Sequence, residues 1–300
     1  MQTLPTITIG IAAYNEEHTL AHLLSDLSKQ QQDTYQIKQV IVVSDASTDN
    51  TAAVAKNHKD LPTTVVINKN RCGKKCALNY FVTHAKTDIL VVFDADVRIK
   101  DIDMIAQLIK PIVKESADLV GAAVHELAPS GLIEHALAAS MDMKRHMFEA
   151  HRSGNNIYTC HGRARAFSRK LYQSIRFESS VNEDAFSYIY CIRHGFSYQY
   201  AKRARVWYRL PTTLADHVKQ SVRFIHSKSD HDFHNDPVVK AEYSIPTQLI
   251  IMANIRTSIC KPIIILYYTI LLYTSLLARS AAHTKQHWDT SQSSKITTIQ

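Results

Sequence analysis

Nothing in this chain of 300 residues reads as a secretion signal, a zinc-binding cysteine pair or a Walker-type phosphate loop, and each gap removes a class of protein. Residues 1–5 run straight into an apolar segment, without the basic stretch and apolar core of a signal peptide. The five cysteines, at 72, 76, 160, 191 and 260, are odd in number and include no CxxC pair. They are expected to be reduced thiols in a cytosolic compartment, Cys72 and Cys76 included, although those two sit at helical spacing. Lys and Arg outnumber Asp and Glu, 35 to 27, for a net charge of +8, yet no long basic cluster and no nucleic-acid-binding signature occurs. Nucleic acid is therefore not the expected partner. A nucleotide diphosphate or an acidic membrane face suits the charge better. No internal repeat is present.

What the chain does carry is an alternation of short apolar runs and helical patterns through its first half. Strands are predicted over 6–12, 40–44, 63–67, 88–93 and 117–124, with helices over 16–30, 47–56, 74–85 and 103–110 between them. Ser47 is the expected N-cap of the second helix, and Pro111 is expected to end or kink the fourth. This order predicts an α/β fold with a mostly parallel sheet flanked by helices and ligands at the carboxyl ends of the strands. The second half is less regular, with helices predicted over 133–151 and 183–194 and a strand over 197–208. The expected division is a catalytic domain over 1–211, a helix and loop over 212–244, and apolar helices with a polar tail over 245–300.

Asp94-Ala95-Asp96 follows the apolar run Ile89-Leu90-Val91-Val92-Phe93. Two carboxylates one residue apart at a strand end point to the same side, where they can hold Mg²⁺ or Mn²⁺ and, through it, a diphosphate. Ala13-Tyr14-Asn15-Glu16 follows the first strand, where a turn can grip a nucleotide or Asn15 can simply cap the helix. Ser44-Asp45-Ala46-Ser47-Thr48-Asp49 follows the second, and Asp45 can accept a hydrogen bond from a base. In the segment 70–79, Gly73 permits close backbone approach, and Arg71 or Lys74 can neutralise phosphate at a helix start.

Taken in order, YNEE, SDASTD, RxGKxxALN and FDAD resemble the GT-A domain of glycosyltransferase family 2, a Rossmann-like mixed sheet. The resemblance continues through Asn182-Glu183-Asp184 and a variant of QxxRW at Gln220, Arg223 and Phe224, and so spans residues 6–224. It implies an inverting, metal-dependent transfer of a sugar from a UDP- or GDP-linked donor to a saccharide or lipid-linked hydroxyl. Asp45 then falls on the base-binding position, with Ser44 in place of the usual preceding acid. Asp94 falls nearer the ribose and Asp96 on the metal, while Asp184, preceded by Glu183, takes the place of the general base. Gln220 and Arg223 match acceptor and diphosphate contacts. Phe224 replaces the tryptophan and lacks its indole N–H. His161 and Gly162, ahead of a strand, would border the acceptor site.

Two rivals were weighed. A sugar-nucleotidyltransferase should carry a glycine-rich basic turn after its first strand, where this chain has Ala12-Ala13-Tyr14-Asn15-Glu16. A silent nucleotide-sugar sensor or membrane scaffold would not require Asp94, Asp96 and Asp184 together. His226, His231, Asp232, His234 and Asp236 look like metal ligands but are irregularly spaced, as in a surface loop. Residues 262–278 contain no charge, at the lower edge of the ~17–25 residues a membrane helix needs. They are read as a short spanning helix, a re-entrant segment or a core helix, with membrane contact on the cytoplasmic face preferred.

Overall fold

The computed structural model describes residues 3–178, 182–227 and 235–280. It divides into two compact units, Met1–His125 with Thr159–Tyr208, and Glu126–Tyr158 with Arg209–Gln300. This grouping differs from the expected boundaries at 211 and 244, because residues 126–158 gather with the C-terminal helices rather than with the sheet.

The first unit is built on seven strands: β1 (Thr6–Ala13), β2 (Gln36–Asp45), β3 (Thr63–Asn68), β4 (Ile89–Asp94), β5 (Leu119–Glu126), β6 (Ala164–Ser168) and β7 (Tyr198–Tyr208). Their order across the sheet is β3-β2-β1-β4-β6-β5-β7. The first four run parallel, and β6 lies antiparallel to both β4 and β5. The sheet is thus mixed and mostly parallel in its first half, as expected. Helices α1 (Glu17–Ser28), α2 (Thr51–Asn57), α3 (Lys74–His84) and α4 (Met104–Val113) connect the early strands, and α6 (Arg169–Ser174) and α7 (Glu183–Arg193) follow β6.

The apolar runs become strands covered on both sides. Ile7, Ile9 and Ile11 of β1 and Leu90, Val91 and Phe93 of β4 are all fully buried, each contributing about 1.5–3 kcal/mol relative to exposure. At Gly10 the sheet and α3 come close together, and a Cβ there would fall 2.6 Å from the Phe81 ring. Register then aligns the strand ends. Ala13 pairs with Ser44, Asp45 with Asn68, and Ala12 with Asp94.

Three local expectations are corrected. Pro111 lies inside α4, because losing one backbone bond in the last turn is tolerated when the helix ends two residues later. Ser47 does not cap α2, whose N-cap position is Asn50. Cys72 and Cys76 are joined as a disulfide rather than free, their Cα atoms 5.8 Å apart, within the usual range for such a bond. Cys160, Cys191 and Cys260 are free. The sequence pattern also missed β6, a five-residue strand buried on both faces and therefore without alternation.

In the second unit, α5 (Leu132–Ala150) packs against the helices Thr247–Cys260 and Ile264–Ser280. Among the described residues no helix is long and apolar enough to cross a membrane. The spanning form considered for 262–278 is therefore not the one observed.

Asp118 ties the outer strands together. Its carboxylate accepts from Ser168 Oγ at 2.9 Å and from the Ser197 N–H at 3.2 Å, with Lys170 Nζ at 3.3 Å. Burial alone would raise its pKa, but the bonds from Ser168, Ser197 and Lys170 outweigh it and hold the carboxyl below its ordinary value. A depressed folded-state value means stability that is present above the usual carboxylate range and lost as pH falls through the lowered value. Asp118→Asn should cost ~1–3 kcal/mol in urea melts at neutral pH. Its difference from the natural chain should shrink steadily in melts taken below about pH 4.

Candidate active site

The turns after β1 and β2 are sewn to each other. Asn15 adopts a left-handed backbone, φ 51°, which aims its side chain sideways instead of down the helix. Its Oδ1 accepts from the Thr48 N–H at 2.8 Å, and its own N–H reaches Ser47 Oγ at 3.2 Å. Glu16 N–H donates to Thr51 Oγ1 at 2.7 Å, Glu17 N–H to Asp49 at 3.1 Å, and Asn50 N–H back to Glu17 at 3.0 Å. Asn15 thus binds the neighbouring turn and does not cap α1, and Ser47 serves the same seam.

Asp45, buried at the end of β2, organises the next loop. It accepts from Asn68 Nδ2 at 2.8 Å, from the Cys72 N–H at 3.0 Å and from the Gly73 N–H at 2.7 Å. A carboxylate offers about four acceptor positions, so this loop takes most of them. Gly73 turns the chain at φ 86°, a conformation that favours glycine. Arg71 stacks its guanidinium 3.6 Å from the Tyr14 ring centroid, joining the first and third turns. A surface pocket of about 510 Å³ opens beside this loop, lined by Asn68, Cys72, Cys76 and Tyr80 among others. None of the acidic residues below lines it, so the chemistry is placed by the charged groups and not by this pocket.

Those groups converge on Lys74. Its ammonium is buried, ion-paired with Asp94 and donating to the Gly162 carbonyl at 3.2 Å. The Gly162 N–H in turn donates to Asp184 at 3.3 Å. A Cβ at Gly162 would press on the ammonium, 2.9 Å from Lys74 Nζ, and would sit in ordinary contact with Asp184 Oδ2 at 3.7 Å. The antiparallel β6 delivers this turn. Ala164 pairs with Phe93, and the Asp94 N–H donates to the Arg163 carbonyl at 3.0 Å. Sequence positions 94 and 162 thereby become neighbours.

The acids differ in environment. Burial raises the Asp96 carboxyl above its ordinary value. Arg163 opposes this, Asp94 reinforces it and Lys74 opposes it. Glu183 is also raised, first by burial, with Lys74 opposing. Asp184 is less buried than Glu183 and has one oxygen on Gly162 N–H and the other on the Ala185 N–H at 2.8 Å. Among the described residues no cluster of three or more His, Cys, Asp or Glu could hold a metal. Asp94 and Asp96 fit a hard divalent cation as a partial set. Both donors are carboxylate oxygens, and Asp96 carries a desolvation penalty that a cation would relieve; a ligand's oxygens would complete the shell.

Two arginines escaped the sequence reading. Arg163 stacks 3.6 Å from the Tyr208 ring centroid and adds positive charge beside Asp96. Arg165 is wholly buried and bonds the Glu183 carbonyl at 3.1 Å and Ser187 Oγ, gripping the first turn of α7. Two arginines close after Gly162, in a segment the family resemblance already set beside the acceptor site, were the available signal. His161 lies half-buried in the turn before β6. Gln220, Arg223 and Phe224 belong to the second unit, on α8 (Leu214–Ser227). The side chains of Arg223, Phe224 and His226 lie outside the described residues, as do residues 231, 232 and 234. Asp236 caps the helix Pro237–Glu242 through the Val238 N–H at 2.8 Å.

A mixed sheet whose parallel ends carry a DxD pair beside a basic loop defines the GT-A class of fold. The family model for glycosyl transferase family 2 matches residues 8–176, and the chain belongs to that family. It is 38% identical over 106 residues to 4,4'-diaponeurosporenoate glycosyltransferase of Staphylococcus aureus (strain bovine RF122 / ET3-1), a stretch covering 35% of this chain and 27% of that protein. The chain thus matches only about a quarter of that curated relative's length. Among solved structures it is similar to mannosyltransferase PcManGT from Pyrobaculum calidifontis in complex with GDP-Man and Mn²⁺. The TM-score is 0.58 at 19% identity, covering 94% of this chain and 77% of that one. Glucosyl-3-phosphoglycerate synthase from Mycobacterium tuberculosis, in complex with Mn²⁺, UDP and phosphoglyceric acid, gives 0.54 at 20% identity, covering 74% and 77%. These structural likenesses are likenesses of fold.

Gly162→Ala tests the contact at the centre of the site. The obstructed atom is the tip of a flexible lysine, so the unfolding free energy from urea melts should change by less than about 1 kcal/mol. Displacement of the ammonium from Asp94 should lower transfer or donor hydrolysis by at least ~10-fold, because small misplacements at a reacting centre are costly. A variant as active as the natural chain would show that this approach is packing alone.

Proposed function

We propose that the chain is an inverting, metal-dependent glycosyltransferase that moves a sugar from a UDP- or GDP-linked donor to a hydroxyl of a saccharide or lipid-linked acceptor. The observation that carries this reading is the line Asp94–Lys74–Gly162–Asp184. It sets a donor-side acid and an acceptor-side acid on either side of one buried ammonium. The GDP-Man, UDP and Mn²⁺ bound in the structurally similar mannosyltransferase and synthase support the donor and metal classes.

In this reading, Asp184 takes the proton of the attacking hydroxyl. It is the more accessible member of the acidic pair, half-buried where Glu183 is buried, and so the one a hydroxyl can reach. Attack from the side opposite the leaving nucleotide inverts the anomeric centre. Lys74 and Arg163 place positive charge where the diphosphate leaves. Tyr14, Asn15, Glu16 and Arg71 bound the nucleotide, and Asp45 offers its remaining acceptor position to the base. Asp94 and Asp96 would hold Mg²⁺ or Mn²⁺, which supplies charge neutralisation for the departing diphosphate. Gln220, Arg223 and Phe224 are assigned to the acceptor side on motif grounds. The same reading puts the chain on the cytoplasmic face of a membrane, supported by its uncharged 262–278 stretch.

Asp184→Asn should lower turnover by about 10²–10⁴-fold, the usual worth of a general base. Nucleotide affinity, titrated calorimetrically in the presence of Mn²⁺, should stay within about twofold. Equal losses of binding and turnover would remove Asp184 from the base role. Asp96→Asn should instead weaken Mn²⁺-dependent nucleotide binding, and unchanged metal dependence in that variant would count against the DxD assignment.

A further inference from the structure

The helices Thr247–Cys260 and Ile264–Ser280, both in the second unit, each bury a narrow face and leave a broad aliphatic one exposed. Ala253 and Thr257 are buried on the first, and Ile264, Tyr267, Ile270 and Thr274 on the second. Large aliphatic side chains face outward, Ile259 at 76% exposure, Ile265 at 67%, Met252 at 66% and Leu272 at 64%. Ile251, Ile255 and Leu276 extend the same surface. The outer face of a helix in water is ordinarily polar, and exposed apolar surface of this extent marks a partner.

The charges indicate which partner. No Asp or Glu occurs between Glu242 and Asp289, whereas Arg256, Lys261, Arg279 and Lys285 do. Arg256 is exposed on the first helix, and Lys261 at the bend is anchored to Asp142 of α5 at 2.8 Å. A second copy meeting this face symmetrically would bring Arg256 toward its own kind, with no acid on either helix to pair with it. An anionic lipid surface has the complementary charge. Length decides the mode of contact. Over the described residues, these helices of 14 and 17 residues reach about 21 and 26 Å at 1.5 Å per residue, short of the ~30 Å hydrocarbon core. Exposed Tyr273 has the apolar body and polar tip suited to the headgroup boundary.

We propose that the outward faces of these two helices lie in the plane of a bilayer rich in anionic headgroups, their aliphatic side chains at the acyl boundary and Arg256 among the headgroups. This deepens the membrane placement above and rests on it, but is independent of the transfer chemistry.

The test is flotation of the full chain with vesicles of phosphatidylcholine alone and of phosphatidylcholine with phosphatidylglycerol. Binding should be at least ~10-fold tighter to the anionic vesicles and should weaken in high salt. Ile255→Glu with Ile259→Glu should abolish flotation while leaving the melting curve and nucleotide binding unchanged, since both positions are exposed. Arg256→Glu should reduce the preference for anionic vesicles several-fold. Equal binding to both vesicle types would overturn the anionic assignment while sparing membrane contact, and no binding to either would overturn both. A stable dimer in detergent-free solution that the paired Glu substitutions dissociate would give the face to a second copy instead. Nucleotide binding in the same samples reports on the donor site separately, so loss of one reading is not mistaken for loss of the other.

Discussion

The buried ammonium of Lys74 is the contact on which the rest of the site depends. A lysine removed from water must find charge or carbonyl partners, and this one finds Asp94 from β4 and the Gly162 carbonyl from the turn before β6. Those partners lie far apart in sequence, and the lysine itself opens α3. One cation therefore fixes three segments, and Asp184 is positioned through the same glycine. Around it the protein gathers further charge at low exposure: Asp96 beside Arg163, and Glu183 near Arg165. Arg165 is the costliest member. It is fully buried, and its Nε and Nη2 have no hydrogen-bond partner among the described residues. Its two neutral contacts lock the turn that carries Asp184, so internal strain and placement of the base coincide at one residue.

The donor half was legible because its logic is local. Apolar runs of five or six residues made the parallel strands, and the polar turn after each strand fell at the carboxyl edge, where Tyr14, Asp45, Lys74 and Asp94 were sought. The details of those turns were less legible, since capping and cross-turn bonding call on the same residue types. Ser47 and Asn15 could serve either use, and only the register of β1 against β2 selects the second. The disulfide between Cys72 and Cys76 was hidden for a related reason. Compartment statistics argued for thiols, while the left-handed turn at Gly73 brought the pair together.

The acceptor half resisted reading on different grounds. β6 is short and buried on both faces, so it shows neither alternation nor length, and its antiparallel place between β4 and β5 has no signature in a scan along the chain. Arg163 and Arg165 were missed with it. The C-terminal stretch was recognised as apolar, but composition alone could not say whether it crosses, lies on or avoids a membrane. Helix length over the described residues and the outward direction of its aliphatic side chains are what the proposed interfacial placement adds to composition.

The insertion of β6 beside β4 also orders the events of folding. Strands β1 to β4 are contributed by the first 94 residues, β2 and β3 being added outward in turn and β4 returning to the other side of β1. A nascent chain can assemble them as it emerges. Val91 must then wait for Ala166, its partner across the sheet, and contacts of such long separation form late and slowly. Until then Lys74 has Asp94 but no Gly162 carbonyl, and no base-bearing helix stands opposite. In the proposed reading, the donor side of the site therefore rests on nearby sequence, whereas the acceptor side depends on this one long-range pairing of β6 with β4.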